Sequence, residues 1–520
     1  MSLYGLEVLA HTDDRIEGML SKMTLEQKVG QLLVFGYRGT SVQEGTLELI
    51  QELKPGGIIS FRHNVGTLSE LAQKNHSLQL QSIRHSGLPL LIMVDQEGGP
   101  VVRIRTQPPP LSAAAVGQTG DPSVAESVGR LTGRLLRQLG FNMNLAPVLD
   151  LSDPYSPSFI GQRSFGQDPQ RVGVMGTRFA EGLWKEAVLP TAKHFPGHGA
   201  ILEDSHHTLP VKKASLEELL QSDLIPFASF SQAAYPSAIM MAHMAFPLLD
   251  PSGTPSSFSR PIIKGLLRTR LGYRGIVLTD DLEMQGADFY RETGERAVRA
   301  IEAGNDMVMI AWTLRHQRSA QKALIKAVKS GRISEERLHR SLRRILATKL
   351  QLPQPELQAN PSTIDFEEFI RQINQAQMRL SQSISRWHFS QGLQREARLK
   401  RGLGKGRQVF VYSADAEFFS SLKAMKSESP MPIHIPIGPR NPAQSHPQMI
   451  DQPESLAVFY LSGTGSLRQL RALPASVKMR TIVVNTTYPG ALRERHQYFA
   501  VIDTYSQDPQ IGLWLGEYLY

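Results

Sequence analysis

Five apolar runs within the first 350 residues of this 520-residue chain end in side chains able to do acid–base, nucleophilic or hydroxyl-binding chemistry. The run Pro89–Glu97 closes on Asp95-Gln96-Glu97, followed by Gly98-Gly99, and Phe141–Leu151 carries Asp150. Leu189–Phe195 holds Lys193 and His194 and continues through Pro196-Gly197-His198-Gly199. Ala238–Ala245 carries His243, and Gly275–Asp281 ends in Thr279-Asp280-Asp281. Polar groups leaving apolar segments are costly in a core and useful in a pocket. One such residue is commonplace; five together predict a site. Around the third of these, His194, His198, Asp204, His206 and His207 fall within fourteen residues. A metal centre is one chemistry this cluster suggests. Pro196, Gly197 and Gly199 keep His194 and His198 off a common helix face, and with no cysteine there is no thiolate ligand, so neither metal nor cofactor is expected. Asp204-Ser205-His206 offers instead a carboxylate two residues from an imidazole, an arrangement suited to proton transfer near neutral pH. Glu97 is the rival proton donor. His198 and His207 are expected to shape the loop, and Asp281 to cap or bond locally.

These residues need elements to carry them. Three further β-rich runs, Val29–Tyr37, Gly56–Phe61 and Asp306–Trp312, bring the count to eight. Most are near-continuous apolar stretches, as strands buried on both faces of a parallel sheet require. Helical patterns lie between them: Ser123–Leu139, Arg171–Ala187, Ser215–Gln232 and Ser334–Leu350, with a capping box at Thr24-Leu25-Glu26-Gln27. The fold class predicted is α/β: a (β/α)8 TIM barrel over residues 1–350, with the site at the C-terminal ends of its strands. A doubly wound open sheet is the alternative. Pro353, Pro355 and Pro361 open a linker over 351–407, with a helix from Thr363 to Arg386. Residues 408–520 read as a second, smaller α/β domain, with strands at Val409–Tyr412, Ala457–Leu461, Thr481–Asn485 and Ala500–Thr504 and a helix at Glu417–Met425.

The net charge of +9 is unevenly spread. Arg386, Arg395, Arg398, Lys400, Arg401, Lys405 and Arg407 face only Glu396 within 386–407. That segment is either a solvated interdomain stretch or a contact for an anionic polymer. Only Trp387 and Phe389 interleave with it and no recognition motif accompanies it, so no nucleic-acid partner is expected. No run approaches the ~18 apolar residues of a membrane span. The first residues lack a basic region and a long apolar core, so no leader is expected as written. The location expected is cytoplasmic as written, or exported after leader removal; a monomer is expected.

Several of these segments together resemble a known family. V-D-Q-E-G-G (94–99), L-A-P-V-L-D-L (145–151), G-Q-R-S-F-G-x-D-P (161–169), K-H-F-P-G-H-G (193–199) with D-S-H (204–206), and T-D-D-L-E-M-Q-G-A (279–287) are similar to glycoside hydrolase family 3, in its bacterial β-N-acetylglucosaminidase branch. A-G-N-D-M-V-M (303–309) and R-I-L-A-T-K (344–349) fit as well. The resemblance covers about residues 15–350 and, in layout, the two-domain members of that branch. It implies a carbohydrate substrate, N-acetylglucosamine-containing cell-wall fragments, and, for an exported protein, wall association with anionic wall polymers as the contact of 386–407. Asp280 matches the nucleophile of a retaining reaction, His206 the general acid/base and Asp204 its partner. Asp95, Arg103, Arg163, Lys193, His194 and His243 match positions holding sugar hydroxyls, although Arg163 could instead pair with Asp168. Pro100 departs from the family, where a basic residue is common, and leaves aglycone preference open. A phosphorylase, a β-glucosidase or xylosidase, and a catalytically silent sugar-binding module are the alternatives.

Overall fold

The computed structural model describes residues 3–41, 44–153, 158–199, 201, 203–205, 207–354, 360–395, 407, 409–413, 416–423, 433–436, 455–461, 464–486, 492, 495–504, 511, 514–515 and 519. Two compact units divide the chain. Met1–Thr106, Gly120–Asp153 and Ser158–Ile373 form the first; the second gathers Gln107–Thr119 with Asn374–Tyr520.

Eight parallel strands close the first unit into a barrel: β1 (Leu33–Gly36), β2 (Gly57–Ser60), β3 (Leu91–Val94), β4 (Met143–Asn144), β5 (Leu189–Phe195), β6 (Ala238–Met241), β7 (Ile276–Asp281) and β8 (Met307–Ile310). Each pairs with the next, and β8 returns to β1 with Leu33 opposite Val308 and Phe35 opposite Ile310. All four residues of β1, β2, β3, β6 and β8 are buried, which explains why their sequences run apolar without alternation. Closure requires a glycine at Gly36: a Cβ there would lie 2.0 Å from the Ala311 carbonyl oxygen, just past β8.

Helices follow from local chemistry. The Thr24 hydroxyl and the Gln27 side chain form the expected capping box on Leu25–Gly30. Asp121 and Asp168 cap Pro122–Gln138 and Pro169–Lys185, each with proline in the first turn. Ser215–Gln232 is not one helix but two, Leu216–Leu220 and Leu224–Ser231, because Pro226 has no N–H to return to the preceding turn. The expected fourth run shortens to two ladder residues, since Pro147 cannot donate to a neighbour. Side-chain amides supply part of the β3–β4 join instead. Asn142 accepts from the Ile92 N–H at 2.7 Å and donates to the Leu90 carbonyl at 2.9 Å, and Asn144 does both with the Gln96 backbone at 3.0 Å.

In the second unit β9 (Val409–Ser413), β10 (Ile433–Pro436), β11 (Leu456–Leu461), β12 (Thr481–Asn485) and β13 (Ala500–Asp503) form a parallel sheet in the order β10-β9-β11-β12-β13. The molecule is thus an α/β protein, a (β/α)8 barrel with a smaller α/β domain. Strand β10 escapes the sequence pattern: it is a four-residue edge strand that ends in proline, a position where a missing donor costs little. Helix Phe366–Arg395 runs nine residues beyond its expected end at Arg386. Residues 396–406 of the basic segment lie outside the described residues. Among the described residues, no helix is long and apolar enough to cross a membrane.

Candidate active site

Strand β3 delivers Asp95, Gln96 and Glu97 to the C-terminal rim. The Asn144 amide fixes the Gln96 backbone, and Gly98 and Gly99, at φ 97° and 57°, reverse the chain. Pro100 sits within this reversal, where the N–H groups of Glu97 and Gly98 both reach the Val101 carbonyl, at 3.0 and 3.2 Å. The Gln96 side chain then takes the N–H groups of Arg103 and Ile104 and donates to the Ile104 carbonyl. This brings Arg103 back beside Asp95, with Nη2 3.1 Å from Oδ2.

Around these carboxylates the site is tied by charge. Arg163 grips Glu97 with two donors, Nε to Oε2 at 2.8 Å and Nη2 to Oε1 at 2.9 Å. Lys193, nearly fully buried, bridges Asp95 Oδ1 at 2.8 Å and Glu97 Oε1 at 2.7 Å. Burial opposes ionisation of Asp95 and Glu97, but the neighbouring cations outweigh it and hold both carboxyls below their ordinary range. Arg163 therefore pairs with Glu97 rather than with Asp168, whose carboxylate accepts the Arg171 N–H.

His194, on β5, is held by Asp150. This fully buried carboxylate receives His194 Nδ1 at 2.6 Å, the His194 N–H, and the His198 N–H at 2.6 Å. Burial works against its charge and His194 restores it, so the carboxyl sits below its usual range. The His198 ring is buried edge-on to Phe159, with neither nitrogen hydrogen-bonded among the described residues, and burial pushes its pKa down to about 4. His243 is buried behind β7: Nε2 donates to the Asp281 carbonyl at 3.0 Å and Nδ1 meets the Ser257 hydroxyl at 2.8 Å. Burial lowers its pKa, against the pull of nearby Asp280.

Asp280, at the end of β7, differs from the other carboxylates. Its Oδ1 accepts the Asp281 N–H at 2.8 Å, and among the described residues no cation forms a salt bridge with it. Burial raises its pKa, but attraction to His194 and His243 and the Asp281 N–H outweigh burial and leave it ionised. Asp281 is tied to the loops that follow β7 and β8, where Oδ1 accepts the Glu283 and Ala311 N–H groups at 3.1 Å. Burial, helped by the charges of Glu283 and Asp280, outweighs these bonds and pushes its pKa up to about 7.

A cavity of about 200 Å³ joins these groups. Asp95, Glu97, Arg103, Arg163, Lys193, His194, Asp280 and Asp281 line it, with Phe61, Met240, Met309 and Trp312 among its apolar walls. The sequence-expected residues Asp95, Arg103, Arg163, Lys193, His194 and Asp280 thus converge. His243 does not reach the cavity wall. Asp204 is placed outside the lining, its carbonyl accepting the His207 and Thr208 N–H groups. His206 lies outside the described residues. Among the described residues, no three His, Asp or Glu side chains converge to hold a metal. Sequence reasoning gave no role to Asp150, although its position at the end of an apolar run marked it. It also missed Phe61 and Trp312, which read as ordinary strand-end aromatics.

Comparison with known proteins agrees with this geometry. The glycosyl hydrolase family 3 N-terminal domain matches residues 24–348. The chain is 31% identical over 377 residues to beta-hexosaminidase A of Pseudoalteromonas piscicida, covering 64% of this chain but only 62% of that protein. It is 34% identical over 304 residues to a beta-hexosaminidase of Thiobacillus denitrificans, covering 56% of this chain and 81% of that one. A glycoside hydrolase family 3 beta-N-acetylglucosaminidase from Paenibacillus sp. str. FPU-7 has a similar structure, with TM-score 0.74 and 30% identity over 96% of both chains. With well over half its length inside the family's domain and the barrel in place, the chain belongs to glycosyl hydrolase family 3.

Proposed function

We propose that this glycoside hydrolase is a retaining exo-β-N-acetylglucosaminidase acting on terminal β-linked N-acetylglucosamine of cell-wall-derived fragments. The observation that carries the reading is Asp280, an ionised carboxylate without a salt bridge among the described residues, facing a cavity lined by ion-paired polar groups. The β-N-acetylhexosaminidase type is supported by the relatives named above. At about 200 Å³ the cavity is smaller than the ~300–1,000 Å³ of sites for larger ligands, which suits one terminal sugar ring.

In the proposed reaction an Asp280 oxygen attacks the anomeric carbon while the bond to the leaving oxygen breaks. His206, oriented by Asp204, gives that oxygen a proton. Water then attacks the same carbon, His206 takes its proton, and Asp280 departs, so two inversions leave the configuration retained. Asp95, Arg103, Arg163, Lys193 and His194 hold the sugar hydroxyls, with Asp150 fixing the imidazole of His194. A phosphorylase differs only in the second step, where phosphate replaces water.

The test is turnover of an aryl N-acetyl-β-glucosaminide against the matching glucoside, with and without phosphate, with product configuration followed by NMR. Release of the β-anomer of N-acetylglucosamine, lost in Asp280→Asn by at least about 10³-fold, supports the proposal. Release of the α-anomer, or full activity in that variant, overturns it. Glycosyl phosphate as main product favours the phosphorylase.

A further inference from the structure

Trp312 lines the same cavity as Asp280, yet the residue remains 49% exposed. A large aromatic left half in water at a cavity mouth is a contact surface waiting for a ligand. This one is held in place. Two residues past β8, its backbone N–H donates to Glu283 Oε2 at 2.6 Å, the Thr313 N–H reaches the same oxygen at 3.1 Å, and His316 Nδ1 meets Oε1 at 2.7 Å. Glu283 follows Asp280 by three residues, so the loop that carries the ionised aspartate also fixes the turn presenting the indole. The indole is backed by Phe61, just past β2, with ring centroids 4.3 Å apart and planes 24° off parallel. Phe61 is fixed in turn by its N–H to Asn64 Oδ1 at 2.8 Å. His63 stacks near Phe61 at 5.9 Å and also lies 5.8 Å from the indole, and the Arg103 guanidinium lies 6.0 Å from the Phe61 ring.

We infer that Trp312, backed by Phe61 and pinned by Glu283, is the platform for the leaving group's sugar ring. This rests on the reading of Asp280 as the reacting carboxylate. The cavity takes one ring, so the second ring of a β-linked disaccharide lies over the rim where Trp312 stands. A pyranose presents a face of C–H bonds that packs on an indole, while its edge hydroxyls need donors. Arg103, beside the platform, has a buried Nε without a hydrogen-bond partner among the described residues. Because the rings are already ordered, little conformational freedom is lost on binding. The ligand class is therefore a pyranose aglycone, rather than any leaving group that merely departs easily.

The experiment compares two substrates: a β-linked N-acetylglucosamine disaccharide, and N-acetyl-β-glucosaminyl fluoride, whose leaving group has no ring. Stacking worth about 1.4 kcal/mol corresponds to a tenfold change. Trp312→Ala should lower kcat/KM on the disaccharide about tenfold more than on the fluoride, chiefly through KM. Trp312→Phe, which keeps an aromatic face, should recover much of the loss. Equal losses on both substrates, or none on the disaccharide, overturn the inference. A wild-type enzyme that turns over neither substrate overturns the hydrolase reading, and this inference with it.

Discussion

Glu97→Gln isolates the role of charge in the ion-paired part of the site, because it keeps the side chain's shape. Glu97 receives three donors: Arg163 Nε at 2.8 Å, Arg163 Nη2 at 2.9 Å and Lys193 Nζ at 2.7 Å. In the amide one oxygen becomes an NH₂. Whichever way it turns, a donor faces a donor, against Nε in one orientation and against Nη2 and Nζ in the other. Lys193 keeps Asp95, but among the described residues Arg163 has no second carboxylate at salt-bridge distance, and its side chain is only 11% exposed. Removing one partner of a buried pair costs about 3–5 kcal/mol, and that is the loss expected at neutral pH from urea unfolding. The sign with pH follows from the depressed carboxyl pKa of Glu97: the pair's contribution is complete above the ordinary carboxylate range and fades as pH falls through the folded-state value. The gap between wild type and variant should therefore be full at pH 7 and narrow under acid conditions. Adding Arg163→Met to Glu97→Gln should cost less than the two separate losses together, since the stranded cation is gone. A single-variant loss under about 1 kcal/mol, or strictly additive losses, refutes the reasoning.

Other consequences can be measured alongside. Asp281→Asn keeps an oxygen for the Glu283 and Ala311 N–H groups but cannot ionise. Because the folded-state pKa of Asp281 is raised to about 7, wild type should lose up to about 1.4 kcal/mol per pH unit between its ordinary carboxylate range and pH 7, and the variant should not; parallel melting curves from pH 5 to 8 contradict this. Gly36→Ala drives a methyl into the Ala311 carbonyl at the β1–β8 closure, so a drop in melting temperature is expected, together with weakened disaccharide binding through adjacent Trp312. Asp150→Asn replaces an acceptor of buried donors by a group that also donates, so kcat should fall with an altered pH profile; an unchanged profile removes the positioning role of Asp150.

The barrel was readable because burial on both faces writes a strand as a plain apolar run, and β5 occupies Leu189–Phe195 as expected. The rim residues were readable for the opposite reason: Asp95, Lys193 and Asp280 interrupt runs that otherwise exclude charge. What escaped depends on partners distant in sequence. Nothing local to Asn142 or Asn144 says that their amides will replace ladder bonds to β3, and nothing near Glu97 identifies Arg163 rather than any other cation. His243 carried the signature of a site residue, yet barrel closure set it behind β7 between Ser257 and the Asp281 carbonyl. Trp312 looked like the apolar end of β8; its exposure follows from a turn fixed by Glu283 on another loop.

The protonation states divide the labour among the carboxylates. Asp95 and Glu97 are locked to three cations, so they can orient hydroxyls but are poor proton donors near neutral pH. That removes Glu97 as the rival acid. Asp281 holds its proton to about pH 7, but it adjoins Asp280 on the same strand end, whereas the two groups of a glycosidase flank the scissile bond. An acid beside the nucleophile cannot also stand across the bond from it. Asp280, ionised and without a salt bridge among the described residues, can attack but cannot donate. In the proposed reaction the proton carrier comes from an element other than β7, the Asp204–His206 segment. In that arrangement the acid sits on a loop of its own, and the charges that bind the sugar stay fixed while one proton moves.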